Sequence, residues 1–328
     1  MEVYLVTGGA GFIGSSFIEF LFNTKDDVTV INIDKLTYAG NVKNNTSVCD
    51  NVTYTFIQQD ICDESFICSI FKKYRPDYVI NFAAESHVDR SICDSGIFMR
   101  TNVLGTQVLL QVSLQHNVKR FIQISTDEVY GAAGINAGLT ESAALFPGNP
   151  YAASKAAGDM IALAYNNTYG LPVMITRSSN NFGFGQNSEK LIPMVIGKCL
   201  RGEAIPVYGN GLQIRDWIYV DDNCSAIYSV LKKGMEGQIY NISANNKLDN
   251  ITLIKQIIKT IRDMLPESDQ RRQKIDEGLI TFVEDRKGHD RCYSISPEKI
   301  RVQLGWSAEH DFHKALEHTI KLYLDDLS

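Results

Sequence analysis

The chain has 328 residues, 44% of them hydrophobic and 21% charged, with a formal net charge of −6 at neutral pH. That length suits one large α/β unit, or a nucleotide-binding domain with a smaller partner, and the acidic balance offers no bulk attraction to nucleic acid or an anionic membrane. The 7 cysteines are scattered, odd in number and never spaced as CxxC, which argues against a disulfide framework and a metal site and points to reduced thiols in the cytoplasm.

From residue 3 onward, short β-branched runs alternate with helical patterns: VYLVT, GFIGSSFIEFLF, VTVINID, YVINFAA, NVLGTQVLLQVSLQ, FIQIS and PVMITR. Such alternation predicts a parallel sheet with crossover helices on both faces. The expected fold is therefore α/β, a Rossmann-type doubly wound parallel sheet over residues 1–180. Beyond residue 180, Pro193, Pro206 and the turn GNG loosen the rhythm, and a helix near 250–264 gives way to the polar stretch PESDQRRQK. Residues 181–328 are expected to form mainly a smaller α/β substrate-binding domain. A segment near 214–243 is expected to return to the first sheet, with IRDWIYVDD (214–222) as the returning run. The apolar VYLV is short and leads straight into glycines, unlike a signal peptide, and no run approaches transmembrane length.

TGGAGFIGS places Gly8, Gly11 and Gly14 between an apolar strand and an apolar helix. A tight turn is needed at Gly8, close backbone approach to a pyrophosphate at Gly11, and close helix–strand packing at Gly14. The phosphates would sit at the helix N-terminus. Asp34 ends the next strand, where an acid bonds adenosine ribose hydroxyls and repels a 2′-phosphate, so NAD is favoured over NADP. Asp60 can reach the adenine amine with Ile61 packed on the ring, and the small Ala83 and Ala84 leave room at a strand's carboxyl end; ordinary small residues at a strand end fit the same pattern. In ISTDEVYG, two carboxyl groups stand side by side where a buried strand stops. PYAASKAAGDM sets Tyr151 and Lys155 four apart on a helix, hence on one side of it. A lysine ammonium beside a phenol is expected to lower the phenol's pKa and make Tyr151 a base for an alcohol undergoing oxidation.

A Tyr–Lys pair with a nearby hydroxyl on a Rossmann sheet resembles the extended short-chain dehydrogenase/reductase family. ISTDEVYG, together with DKLTYAGN, AAESHVDRSI, YAASKA, TRSSNN, EKLIP, VYGNG, RDWIYV, YNI and DRKGHDR, runs in order over nearly the whole chain and is similar to the dTDP-glucose 4,6-dehydratase branch of that family. The resemblance implies a hydro-lyase using NAD and a nucleotide-sugar substrate. Thr126 would orient the C4 oxygen, Tyr151 take its proton as hydride leaves C4, and Lys155 steady the phenolate. Glu128 would then remove the C5 proton while a neutral Asp127 protonates the departing C6 oxygen. Hydride return to C6 and proton return to C5 give a 4-keto-6-deoxy sugar nucleotide. One carboxyl must be ionised and the other protonated at one pH, which requires environments that drive their pKa values apart.

By the same resemblance the cofactor would meet Gly8, Gly11, Phe12, Ile13, Gly14, Asp34, Lys35, Leu36, Thr37, Asp60, Ile61, Ala83, Ala84, Thr101, Tyr151, Lys155 and Asn181. The nucleotide sugar would meet Ser86, Thr126, Asn180, Lys190, Leu191, Pro206, Tyr208, Arg215, Asn250, Arg286 and His289. Family members pair as homodimers through a four-helix bundle, implying here the helix around 98–116 and the one carrying Tyr151. Two departures touch the substrate side: NFGFGQNSEK stands for the more usual NYGPYQxPEK, and Lys287 replaces a proline. A changed base or sugar, such as a UDP-sugar, an epimerase on the same scaffold, or a silent NAD-binding protein therefore stay open as alternatives.

Overall fold

A computed structural model describes residues 1–25 and 27–326. Its twelve strands are β1 (Glu2–Thr7), β2 (Val28–Asp34), β3 (Tyr54–Gln58), β4 (Tyr78–Asn81), β5 (Arg120–Thr126), β6 (Val173–Ser178), β7 (Asn180–Phe182), β8 (Ile205–Tyr208), β9 (Ile214–Tyr219), β10 (Ile239–Ile242), β11 (Lys247–Asp249) and β12 (Ile280–Val283). Seven form the central sheet in the order β10-β6-β5-β4-β1-β2-β3, with every neighbouring pair parallel. This is the doubly wound Rossmann-type arrangement. The strands are buried on both faces, which is why runs such as VYLVT and VTVINID are almost continuously apolar.

On one face, helices Phe12–Thr24 and Val220–Lys233 bury Phe17, Ile18, Leu21, Ile227 and Val230 against Tyr4, Val6 and Tyr240. On the other, helices Glu64–Tyr74, Thr106–Gln115 and Pro150–Tyr169 bury Phe71, Leu109 and Ala162 against Leu5, Ile31 and Val79. Each fully buried Phe, Leu, Ile or Val among them contributes about 1.5–3 kcal/mol. A third core, with Phe182, Trp217, Leu253, Ile257 and Phe312, joins helices Leu191–Arg201, Asn250–Met264 and Phe312–Asp326. Strand order reverses between β1 and β4, so the crevice outside their carboxyl ends is where such a sheet takes a ligand.

The returning strand is not the one read from the sequence. Ile239–Ile242 joins the central sheet, with Tyr240 opposite Thr176. Ile214–Tyr219 instead pairs with β7 and β11 in a separate three-stranded sheet. It carries the adjacent buried charges Arg215 and Asp216, both with partners: Asp216 accepts from the Asn246 amide at 2.8 Å and from the Ser243 hydroxyl, and Arg215 donates to the Asp290 carbonyl at 3.0 Å. Among the described residues, no helix is long and apolar enough to cross a membrane.

Candidate active site

The cleft begins at the end of β1. Gly8 has φ +71, and a Cβ there would fall 2.6 Å from the Ala83 amide nitrogen. A Cβ on Gly14 would fall 2.3 Å from the Gly8 carbonyl, whereas one on Gly11 meets only that carbonyl at 3.2 Å and otherwise faces open space. Gly11 caps helix Phe12–Thr24 without any side-chain hydrogen bond, so the first helical amides are left for a ligand. Asp34 closes the far side. It accepts from the amides of Ala10 at 3.0 Å and Leu36 at 2.8 Å, and burial pushes its carboxyl up. Leu36 turns with φ 58, a left-handed conformation uncommon for a branched residue, and stands just outside the lining formed by its neighbours Lys35 and Thr37. An open cradle, uncapped helical amides and a buried acid fit a dinucleotide.

The acids stand where β5 ends. A turn at Asp127–Tyr130 follows Thr126, whose hydroxyl accepts from the Glu128 amide and donates to Asp127 Oδ1, both at 3.3 Å. Asp127 is buried and its Oδ2 has no hydrogen-bond partner in the protein. Burial, then the charges of Glu128 and Asp216, push its carboxyl up to about 8, against the opposing pull of Arg215. Glu128 is half-buried; its Oε2 lies 3.4 Å from both Asn149 Nδ2 and the Tyr293 hydroxyl. Asn149 also caps helix Pro150–Tyr169, accepting from the Ala152 amide at 2.9 Å, with Pro150 in the first turn and Gly170 in a left-handed cap at the end. One side chain thus ties the start of the Tyr151 helix to Glu128.

Tyr151 is buried, and its phenol is pushed up, not down as expected from the sequence. Burial dominates, followed by the charge of Glu128; the Thr126 hydroxyl pulls the other way, and Asp127 adds to the rise. Lys155 does not reverse this because its amine donates to the Ile124 carbonyl and burial pushes it down to about 8.

The cleft lining gathers Gly8, Gly11, Phe12, Ile13, Gly14, Asp34, Lys35, Thr37, Asp60, Ile61, Ala83, Ala84 and Thr101 with Thr126, Asp127, Glu128, Tyr151 and Lys155. Ser86, Asn180 and Lys190, expected to meet the nucleotide sugar, and Asn181, expected to meet the cofactor, also line it. Leu191, Pro206, Tyr208, Arg215, Asn250, Arg286 and His289 do not line this cleft, but several are linked to it. Arg215 lies 4.2 Å from the Tyr293 ring centroid, and Tyr293 donates to Asp290 at 2.9 Å as well as reaching Glu128. Arg286 stacks over Tyr208 at 4.9 Å, while its Nε and Asn250 Oδ1 are buried without hydrogen-bond partners. His289 contacts Asp285 at 2.6 Å and edges against Tyr208. Leu191 opens helix Leu191–Arg201 and packs on the third core.

Sequence reasoning passed over Tyr38, Glu85, Gln186 and Asn187, which also line the cleft, and Tyr293 and Asn149 behind Glu128. Tyr38 and Glu85 sit inside the motifs DKLTYAGN and AAESHVDRSI and could have been found there. Several of these residues form a clasp over the cleft. Glu189 meets Arg90 at 2.6 Å and His87 at 3.3 Å, Arg90 lies 3.9 Å from the Tyr38 ring centroid, Asn187 donates to the Tyr38 carbonyl at 3.2 Å, and Lys190 donates to the Ser86 carbonyl at 3.1 Å.

A family model described as GDP-mannose 4,6 dehydratase matches residues 5–319. The chain belongs to that family. Within this dehydratase family, dTDP-glucose 4,6-dehydratase of Neisseria meningitidis serogroup B is 46% identical, with 99% of this chain and 94% of that protein covered. The crystal structure of dTDP-glucose 4,6-dehydratase from Streptomyces venezuelae, solved with NAD bound, matches with a TM-score of 0.92 at 40% identity, covering 99% of this chain and 97% of that one. UDP-glucose 4-epimerase of Thermotoga maritima, solved with UDP-glucose, matches at 0.89 and 28% identity, covering 99% and 100%. The dehydratase fold is thus shared with an epimerase, and the site residues must separate the two chemistries.

Proposed function

We propose that the chain catalyses NAD-dependent 4,6-dehydration of a nucleoside-diphosphate hexose, dTDP-glucose, to the 4-keto-6-deoxy sugar. The observation that carries this reading is Asp127, a buried carboxyl held up to about 8 with one oxygen unpartnered, directly beside the half-buried Glu128. An epimerase needs a proton acceptor at C4 but no acid–base pair at C5 and C6; an elimination needs both, in opposite protonation states.

Gly8, Gly11, Gly14, the uncapped helix and Asp34 would hold NAD. When bound, NAD supplies hydride removal at C4 and hydride return at C6, and its cationic ring adds positive charge near the phenol. Tyr151 Oη takes the proton of the C4 hydroxyl, with Thr126 bonded to it. Once C4 is a ketone, the C5 hydrogen is acidified, and a Glu128 oxygen removes it. Asp127 Oδ2 gives its proton to the departing C6 oxygen, which leaves as water, and a proton goes back to C5 when C6 receives hydride. Lys190, Arg215 and Arg286 supply the cationic charge and N–H donors that a diphosphate needs.

Two further features follow from the family reading. A homodimer through helices 95–115 and 150–169 is supported by exposed apolar side chains on both, Leu104 at 50% and Met160 at 45% among them. A cytoplasmic location is supported by seven free cysteines. The activity is tested by incubating the purified protein separately with dTDP-glucose, UDP-glucose and UDP-GlcNAc, without added reductant, and recording the alkaline absorbance of a 4-keto-6-deoxy product. Product from dTDP-glucose supports the proposal; product only from a UDP-sugar moves the base preference; an interconverted hexose without keto product overturns it.

A further inference from the structure

The helix that presents Tyr151 and Lys155 reaches Asp159 one turn later. There it meets a buried ion pair that does not line the cleft. Asp159 is wholly buried and Arg177, on β6, is 1% exposed, with Nε 2.9 Å from Asp159 Oδ2. The same carboxylate oxygen accepts from the Ser125 hydroxyl at 2.9 Å, immediately before Thr126. The Arg177 guanidinium lies 4.7 Å from the ring centroid of Tyr130, the last residue of the acid-bearing turn. Tyr130 in turn donates to Asn241, on the returning strand, at 2.8 Å.

One charge pair therefore touches Ser125, two residues before the acid turn, Tyr130, which ends it, and the helix of the Tyr–Lys pair. Stability alone gives little reason for it, since well-packed neutral residues of similar volume often serve as well as a buried ion pair. We propose that Asp159 and Arg177 are positioning residues for the dehydration, fixing the Asp127–Tyr130 turn and the Tyr151–Lys155 helix relative to one another. The inference rests on the dehydratase reading above.

Asp159 has a second effect. Burial pushes Lys155 down, and the negative charge of Asp159 is what opposes it. The groups that bear on Lys155 are Asp159 on its own helix and the Ile124 carbonyl on β5, with Arg177 behind Asp159; Tyr151, Asp127 and Glu128 line the same cleft. Lys155 acts as an ammonium, so its contribution is lost as pH rises through its pKa; without Asp159 that loss comes at lower pH. Asp127 must also keep its proton, so both groups shape the alkaline limb, and only the Lys155 part moves.

The test is the double variant Asp159→Asn/Arg177→Met, which removes both charges at nearly constant volume, compared with the parent holoenzyme. Expected are a melting temperature within a few degrees, KM for the nucleotide sugar within about twofold, and a kcat down roughly tenfold at pH 9 and less at pH 7, with the Lys155 titration moved to lower pH. Nitrogen-15 NMR of the lysine amines, with the Lys155 signal assigned by its loss in Lys155→Met, reads the same shift without turnover. Parental kcat with an unmoved Lys155 titration overturns the proposal. If the double variant does not fold, Ser125→Ala decides: a lowered kcat with an unmoved alkaline limb supports the positioning role, and an unchanged kcat overturns it. A parent that makes no keto-deoxy sugar overturns the dehydratase reading instead, and the NMR titration then judges the Asp159–Lys155 coupling alone.

Discussion

Replacing Asp127 with asparagine keeps the side chain's shape and removes its titration. In the unfolded chain the carboxyl ionises near its ordinary 3.8; in the folded protein it holds its proton to about 8. Between those values the native state binds the extra proton, so stability falls as pH rises, by about 1.4 kcal/mol per unit. At pH 7 the accumulated penalty has a ceiling of about 4 kcal/mol. Its coupling to Glu128 and an amide hydrogen left without an acceptor, worth roughly 1–3 kcal/mol, offset much of the gain from removing it. Asp127→Asn is therefore expected to be about 1–2 kcal/mol more stable than the parent at pH 7–8 and no more stable at pH 4–5. The assay is the melting temperature of both proteins with saturating NAD across that range, with keto-product formation measured in parallel. The variant's advantage should grow with pH while dehydration falls about 10²–10⁴-fold. A difference in melting temperature that does not change with pH refutes the assignment of Asp127 as a buried neutral acid.

Tyr151→Phe should lower kcat about 10²–10⁴-fold while NAD stays bound, checked by steady-state rates and by the nucleotide released on denaturation. Gly14→Ala forces a Cβ to within 2.3 Å of the Gly8 carbonyl, so the purified protein should carry little NAD and be destabilised by about 1–3 kcal/mol. Leu104→Glu combined with Met160→Glu places charge on the exposed apolar faces of both helices and should shift the sedimentation coefficient to that of a monomer. Cleavage of water from dTDP-glucose should decline above pH 8, where Asp127 loses its proton and Lys155 its charge.

What could be read from the sequence was what local pattern encodes. GxxGxxG between strand and helix, an acid at the next strand's end, and Tyr and Lys four apart each describe a short-range geometry, and the cleft brings Gly8, Asp34, Thr126, Tyr151 and Lys155 together. The strand at 214–219 failed because an apolar run says that a strand is buried, not which sheet takes it. Tyr293 and Asn149 were invisible for a similar reason. Their contacts with Glu128 cross 165 and 21 residues of chain, and nothing in their own neighbourhoods signals a carboxylate. The phenol's direction was misjudged because helical spacing gives the side of a helix, while burial and two acids set the field.

In the clasp formed by Glu189, Arg90, Tyr38 and Asn187, the Arg90–Glu189 and Tyr38–Asn187 contacts join segments 99 and 149 residues apart. On the dehydratase reading the cofactor beside the clasp ends each cycle in the oxidation state in which it began, and has no need to leave between turnovers. A dinucleotide retained in this way behaves as a fixed part of the catalyst and not as a co-substrate. The ratio of oxidised to reduced nucleotide outside the protein then has little grip on the rate, and sugar flux through the enzyme is insulated from the respiratory state of the cell.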